Sequence, residues 1–134
     1  MTLGVADLER SIRFYEALGW RRSPASIEGE ICWFTTVDSV LGLFPHDALA
    51  ADVGVPADEP SRFRGVTLAI NLESNEAVQT MMDEAAAAGA TVVKAPQRAE
   101  WGGISGYFAD PDGHLWEFVH TNFAMTPEGR LDLG

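Results

Sequence analysis

The sequence predicts an α+β chain made of two copies of one βαβββ module, and three observations carry that expectation. A short strand followed by a capped amphipathic helix occurs twice, beginning at Thr2-Leu3-Gly4-Val5 and at Thr67-Leu68-Ala69-Ile70. After each helix the apolar spacing changes from three and four to two, which marks extended strands rather than more helix. Between the copies lies a stretch with Pro56, Pro60 and several Asp and Ala residues, longer than a typical connection inside a compact domain.

In the first copy Asp7 is placed to cap a helix whose apolar stripe is Leu8, Ile12, Tyr15 and Leu18, with Gly19 as its stop. Three strands are expected after it, near Trp20 to Ser23, Glu30 to Thr36 and Val40 to Phe44, with a tight connection at Val37-Asp38-Ser39. In the second copy Ser74 is the N-cap, the stripe is Ala77, Val78, Met81, Met82 and Ala85, and Gly89 is the stop. Strands follow near Thr91 to Lys94, Ile104 to Ala109 and Leu115 to His120. Asp110-Pro111-Asp112-Gly113 joins the last two, because proline presets its φ and glycine accepts a positive one. The expected organisation is a single domain: module one over about 1–45, a linker over about 46–64 with a short helix around Ala48 to Asp52, module two over about 65–120, and a tail over 121–134 that turns at Thr126-Pro127-Glu128-Gly129. The linker reads either as a plain crossover or as an arm over a pocket.

Composition narrows the partners. A chain of 134 residues with 46% hydrophobic content can bury one core without staples. Its 20 acidic against 9 basic residues give a net charge of −11, which argues against nucleic acid, since phosphate neutralisation needs clustered Lys and Arg. The acidity can steer a cationic small molecule, but plain solubility is the commoner reason for it, and charge alone selects no ligand. One cysteine, Cys32, excludes an intrachain disulfide and sits in the apolar run Ile31-Cys32-Trp33-Phe34, where a thiol behaves as a small hydrophobe. No run approaches the roughly 18 apolar residues of a membrane span, and the N-terminus has no secretory pattern. A cytoplasmic, reducing location is the expectation.

Two motifs tie this pattern to a known group. Val5-Ala6-Asp7-Leu8-Glu9-Arg10-Ser11, followed by Phe14-Tyr15 and Leu18-Gly19-Trp20, opens the chain. Phe108-Ala109-Asp110-Pro111-Asp112-Gly113-His114-Leu115-Trp116-Glu117-Phe118 closes it. Together they resemble the vicinal oxygen chelate superfamily, the glyoxalase, bleomycin-resistance and extradiol-dioxygenase group, over essentially the whole chain. The resemblance implies two βαβββ modules around an open, barrel-like cavity and, in the family's enzymes, a divalent metal held by four side chains, one from the first and last strand of each module. It also implies a homodimer. Here Glu117 stands at the fourth ligand position, at the family's spacing from the Asp-Pro-Asp-Gly turn. The first position falls at or before Met1, so a longer N-terminus would have to supply it; the second aligns with Gly42 and the third with Val66. A lone carboxylate does not hold a transition metal, because such sites use about three protein ligands. No cofactor is therefore expected, with a divalent metal disfavoured. A displaced site from His46 and Glu117 stays open, while His114 sits in a turn and His120 has the opposite parity to Glu117.

Strand parity then sorts the candidate ligand contacts. Glu117 shares a face with Leu115 and Val119, whereas Trp116 and Phe118 read as core; Val40, Gly42 and Phe44 share a face in module one, with Gly42 making room where a ligand residue would stand. Trp33 and Trp101 are candidates for stacking on a flat ligand, Trp101 being followed by Gly102-Gly103. Ser105 and Tyr107 are candidate hydrogen-bond partners of Glu117, and Arg98 a candidate charge partner. The binding set is thus Trp33, Gly42, Phe44, Trp101, Ser105, Tyr107 and Glu117, with Glu117 the one candidate catalytic group. Three functions stay open: a metal-independent binding protein that sequesters an aromatic or cationic small molecule, a metal-dependent lyase or dioxygenase, and a metal-free enzyme using Glu117 as acid or base.

Overall fold

A computed structural model describes residues 1–36, 39–58, 63–100 and 102–132. The chain divides into two compact units, Met1–Gly65 and Val66–Gly134, each with its own sheet.

In the first unit, strand β1 (Thr2–Val5) leads into helix α1 (Leu8–Ala17), followed by β2 (Cys32–Thr35), β3 (Val40–Pro45) and helix α2 (His46–Val53). Asp7 starts α1 as expected, its carboxylate accepting from the Arg10 amide at 2.9 Å. Gly19, at φ 83°, lets the chain turn away after the helix. The helix buries Ile12, Phe14 and Tyr15, and the sheet contributes Val5, Cys32, Phe34, Leu41 and Leu43 to the same core. The strand order is β1-β3-β2, with β1 parallel to β3 and β2 antiparallel to it.

Two expected strands of this unit are shorter than their patterns suggest. Trp20 to Ser23 is reduced to a single bridge, Arg22 to Phe34. The Trp20 amide is spent on the Tyr15 carbonyl at 3.1 Å, closing the helix end, and its indole joins the core beside Tyr15 and Phe34. Pro24, which has no amide proton, follows within two residues of the bridge. The stretch expected to run from Glu30 begins instead at Cys32, because Ile27 and Ile31 exchange both backbone hydrogen bonds in a small loop of their own. The expected connection at Val37-Asp38-Ser39 lies outside the described residues at Val37 and Asp38; its flanks are joined by the Thr36 amide donating to the Ser39 carbonyl at 2.9 Å. The expected linker helix is present as α2, ended by Gly54 at φ 81°.

The second unit is a full βαβββ module: β4 (Leu68–Asn71), α3 (Asn75–Ala87), β5 (Thr91–Arg98), β6 (Ile104–Ala109) and β7 (Leu115–His120). Ser74 caps α3 by accepting from the Ala77 amide at 3.0 Å, and the helix buries Val78, Met82 and Ala85. These meet Phe108, Trp116 and Phe118, all buried, so Trp116 and Phe118 take the core face that parity assigns them. The sheet order is β4-β7-β6-β5, with β4 parallel to β7. The Asp110-Pro111-Asp112-Gly113 turn is closed by the Gly113 amide on the Asp110 carbonyl, while the buried Asp110 carboxylate accepts from the amides of Asp112 and His114. In both units the first strand lies parallel beside the last, so the repeat extends to topology. The tail turns at Thr126 to Gly129, where the Gly129 amide donates to the Thr126 carbonyl at 2.9 Å.

Candidate functional site

The open face of the second sheet is a small grid. Residues paired directly across neighbouring strands share a face and touch their neighbours. The central row reads Ala69 on β4, Glu117 on β7, Tyr107 on β6 and Lys94 on β5. One flanking row is Leu115, Ala109 and Thr91; the other is Asn71, Val119, Ser105 and Gln97. A charged row thus lies between an apolar row and a mostly polar one. Glu117 and Tyr107 are half-buried, Lys94 is exposed, and Val119 and Ser105 are buried.

The members of the central row interact in sequence. The Tyr107 hydroxyl neighbours the Glu117 carboxylate closely enough to be influenced by it as a hydrogen-bond donor, and the Lys94 ammonium stands 5.8 Å from the centroid of the Tyr107 ring, within cation–π range. Burial, then the hydrogen bond and charge of Glu117, hold the Tyr107 phenol above the usual tyrosine range. Burial and Glu117 thus both favour the neutral phenol over the phenolate. Of the partners expected for Glu117, Tyr107 is in place. Ser105 lies one row further, opposite Val119, and Arg98 lies at the far end of β5, opposite Ile104.

Lys94 owes its position to irregular pairing. Thr91 and Val92 face Ala109 and Phe108 in ordinary register, which would bring Val93 opposite Tyr107; a one-residue bulge brings Lys94 there instead. A second irregularity lies between Lys94 and Gln97, where the Pro96 nitrogen comes close to Gly106. A Cβ on Gly106 would come within 3.1 Å of the Pro96 nitrogen and 3.2 Å of the Lys94 carbonyl oxygen, so glycine is what lets the bulged strand approach. Periodicity did not reveal Lys94, because a bulge inverts the parity on which such reasoning rests. The sequence signal that was available is Pro96 on a strand, which points to an edge or a bulge.

The first unit presents a different open face. Thr2 pairs with Gly42, Gly4 with Phe44 and Trp33 with Gly42. The space left by Gly42 is filled: a Cβ there would meet the Thr2 hydroxyl at 3.2 Å and the Trp33 indole at 3.4 Å. Trp33 and Phe44 are half-buried. His46, at the start of α2, comes down over Gly4, where its Nδ1 lies 3.1 Å from a would-be Cβ, while its Nε2 faces the Asp58 carbonyl oxygen at 3.3 Å. His120 is engaged by its Nδ1 with the Leu72 carbonyl oxygen at 2.8 Å. Trp101 lies outside the described residues.

A family model for the Glyoxalase/Bleomycin resistance protein/Dioxygenase superfamily matches residues 1–118. The chain belongs to this superfamily. A glyoxalase-related enzyme from Fulvimarina pelagi is 33% identical, with a TM-score of 0.87, over 100% of this chain and 95% of the other. A glyoxalase/bleomycin resistance protein/dioxygenase from Nocardioides is 30% identical, with a TM-score of 0.74, over 98% and 87%. A lactoylglutathione lyase from Agrobacterium tumefaciens, 19% identical with a TM-score of 0.68 over 90% of each chain, shares the fold. No curated protein sequence matches the chain.

Superfamily enzymes hold a metal through the first and last strands of each module, and the paired residues on those strands test whether such an ion fits here. In the first unit they are Thr2 and Gly42, in the second Ala69 and Glu117. Val66, which aligns with the third ligand, lies before β4 and is 59% exposed. Only Glu117 is a carboxylate or imidazole, and among the described residues no three His, Cys, Asp or Glu side chains gather into a ligand set. Of these four paired residues Glu117 alone carries a metal-ligating side chain, where catalytic sites use about three. Among the described residues, no helix is long and apolar enough to cross a membrane.

Proposed function

We propose that the chain is a cytoplasmic, small-molecule-binding member of the superfamily without the usual complete metal site, sequestering a drug or metabolite on the open sheet face around Glu117. The observation that carries this reading is the central row. A half-buried carboxylate stands beside a phenol that it holds in the neutral form and is flanked by the apolar Leu115 and Val119. Such a face holds an aromatic or cationic molecule, its apolar body on the aliphatic residues and its polar hydrogen on Glu117. Trp33 in the first unit, lying along the Gly42 backbone, is an aromatic surface of the same kind. The protein is expected to act as a homodimer, which sedimentation equilibrium would report as twice the chain's 14.5 kDa.

The Tyr107–Glu117 hydrogen bond also favours a second reading, a metal-free enzyme in which Glu117 moves a proton. One experiment separates the two. Aromatic and cationic compounds are screened by thermal shift against wild type and Glu117→Gln, and each hit is recovered and analysed after incubation. Binding with the compound recovered unchanged, weakened about tenfold by Glu117→Gln for a cation, supports sequestration. Conversion of the compound, lost in Glu117→Gln, supports the enzyme. Binding of every hit unaffected by Glu117→Gln would remove this face from consideration.

A further inference from the structure

The central row holds two opposite charges, and the proposed function draws on only one of them. Lys94 and Glu117 stand on either side of Tyr107, one strand away in each direction, so their backbones are separated by two interstrand steps, about 9–10 Å. Lys94 reaches this row through a bulge that Gly106 makes room for, which sets it, rather than Val93, beside the tyrosine. Bulges that re-aim a side chain recur beside binding sites.

Resting on the reading of this face as a binding site, we propose that Lys94 and Glu117 form a two-charge site for a zwitterionic small molecule, cationic nitrogen on Glu117 and anionic group on Lys94. The charges favour a ligand that carries both signs over one that carries a single charge. A ligand that is only cationic meets Glu117 but also faces the Lys94 ammonium. A ligand that is only anionic meets Lys94, faces Glu117, and must approach a chain of net charge −11. A zwitterion satisfies both ends and carries no net charge to be repelled. The Tyr107 ring between them, already in contact range of the Lys94 ammonium at 5.8 Å, gives the connecting carbon chain an apolar surface to lie against.

The test uses three probes with the same five-carbon chain: 5-aminopentanoate, pentylamine and pentanoate. Each is titrated into the isotopically labelled full chain, and the amide and methyl signals of Lys94, Tyr107, Leu115 and Val119 are followed. 5-Aminopentanoate is expected to bind about tenfold more tightly than either single-charge probe. Lys94→Met, which keeps the stem of an exposed residue and so preserves the fold, should reduce it to the level of pentylamine. Glu117→Gln should reduce it to the level of pentanoate. Equal affinities for 5-aminopentanoate and pentylamine in wild type, or a preference that survives Lys94→Met, would overturn the two-charge site while leaving Glu117 as a binding group. No response of this face to any probe would overturn the binding reading along with it.

Discussion

Tyr107 reports the state of the site through its own proton. Burial and Glu117 favour the neutral phenol in the folded chain, so the folded state holds that proton more tightly than the unfolded state does. Stability from this group is complete below the ordinary tyrosine range and falls as pH rises through that range toward the raised folded value. Tyrosinate absorbance, with Tyr107→Phe subtracted to remove the signal of Tyr15, should show Tyr107 ionising above the usual range. Glu117→Gln should bring that ionisation down, and an unchanged curve would show that Glu117 does not act on the phenol. Gly42 makes a second prediction. A methyl group there meets the Thr2 hydroxyl at 3.2 Å and the Trp33 indole at 3.4 Å, so Gly42→Ala should push the Thr2 side chain aside, alter tryptophan fluorescence through the new contact with the indole, and cost about 1 kcal/mol or less in urea unfolding. Glu117 was legible in the sequence because a turn motif fixes its distance from Gly113. The filling of the Gly42 space by Trp33 was not, because parity names a face but says nothing about which neighbour leans over a missing side chain.

The irregular strand β5 shows the same limit at the level of elements. Regular pieces follow from local chemistry: Asp7 and Ser74 cap their helices, Gly19 and Gly89 release them at positive φ, and Asp110 ties the turn before β7. Trp20 to Ser23 failed as a strand because a tertiary contact won, the indole packing onto Tyr15 and Phe34 instead of alternating along an edge. In β5 the backbone itself departs from regular pairing, and Gly106 is the residue that permits it. Gly106→Ala would put a methyl group within 3.1–3.2 Å of the Pro96 nitrogen and the Lys94 carbonyl oxygen, atoms that move only if the strand moves. The expected outcome is a loss of about 1–3 kcal/mol by urea unfolding, together with weakened contact between Lys94 and Tyr107. Chemical shifts of the Lys94 side-chain methylenes, which lose the ring-current effect of Tyr107, would register that loss. Shifts that stay put while stability falls would mean that the bulge does not depend on Gly106.

At the scale of the whole molecule, the net charge of −11 governs which small ions gather around the chain. A field of that sign raises the local concentration of cations and lowers that of anions, and salt screens both effects over a Debye length of about 8–10 Å near physiological ionic strength. The three five-carbon probes should therefore separate by their salt response as well as by affinity. Pentylamine gains from the overall field and should bind more weakly as salt rises. Pentanoate is opposed by that field and should lose less, or improve. 5-Aminopentanoate has no net charge for the field to act on, and its two ends meet charges held only two strands apart, so its affinity should change least between low and moderate salt. Calorimetric titrations at two ionic strengths would measure all three. A zwitterion whose binding falls as steeply as that of pentylamine would show that the net charge of the chain, rather than the Lys94–Glu117 row, draws the ligand in.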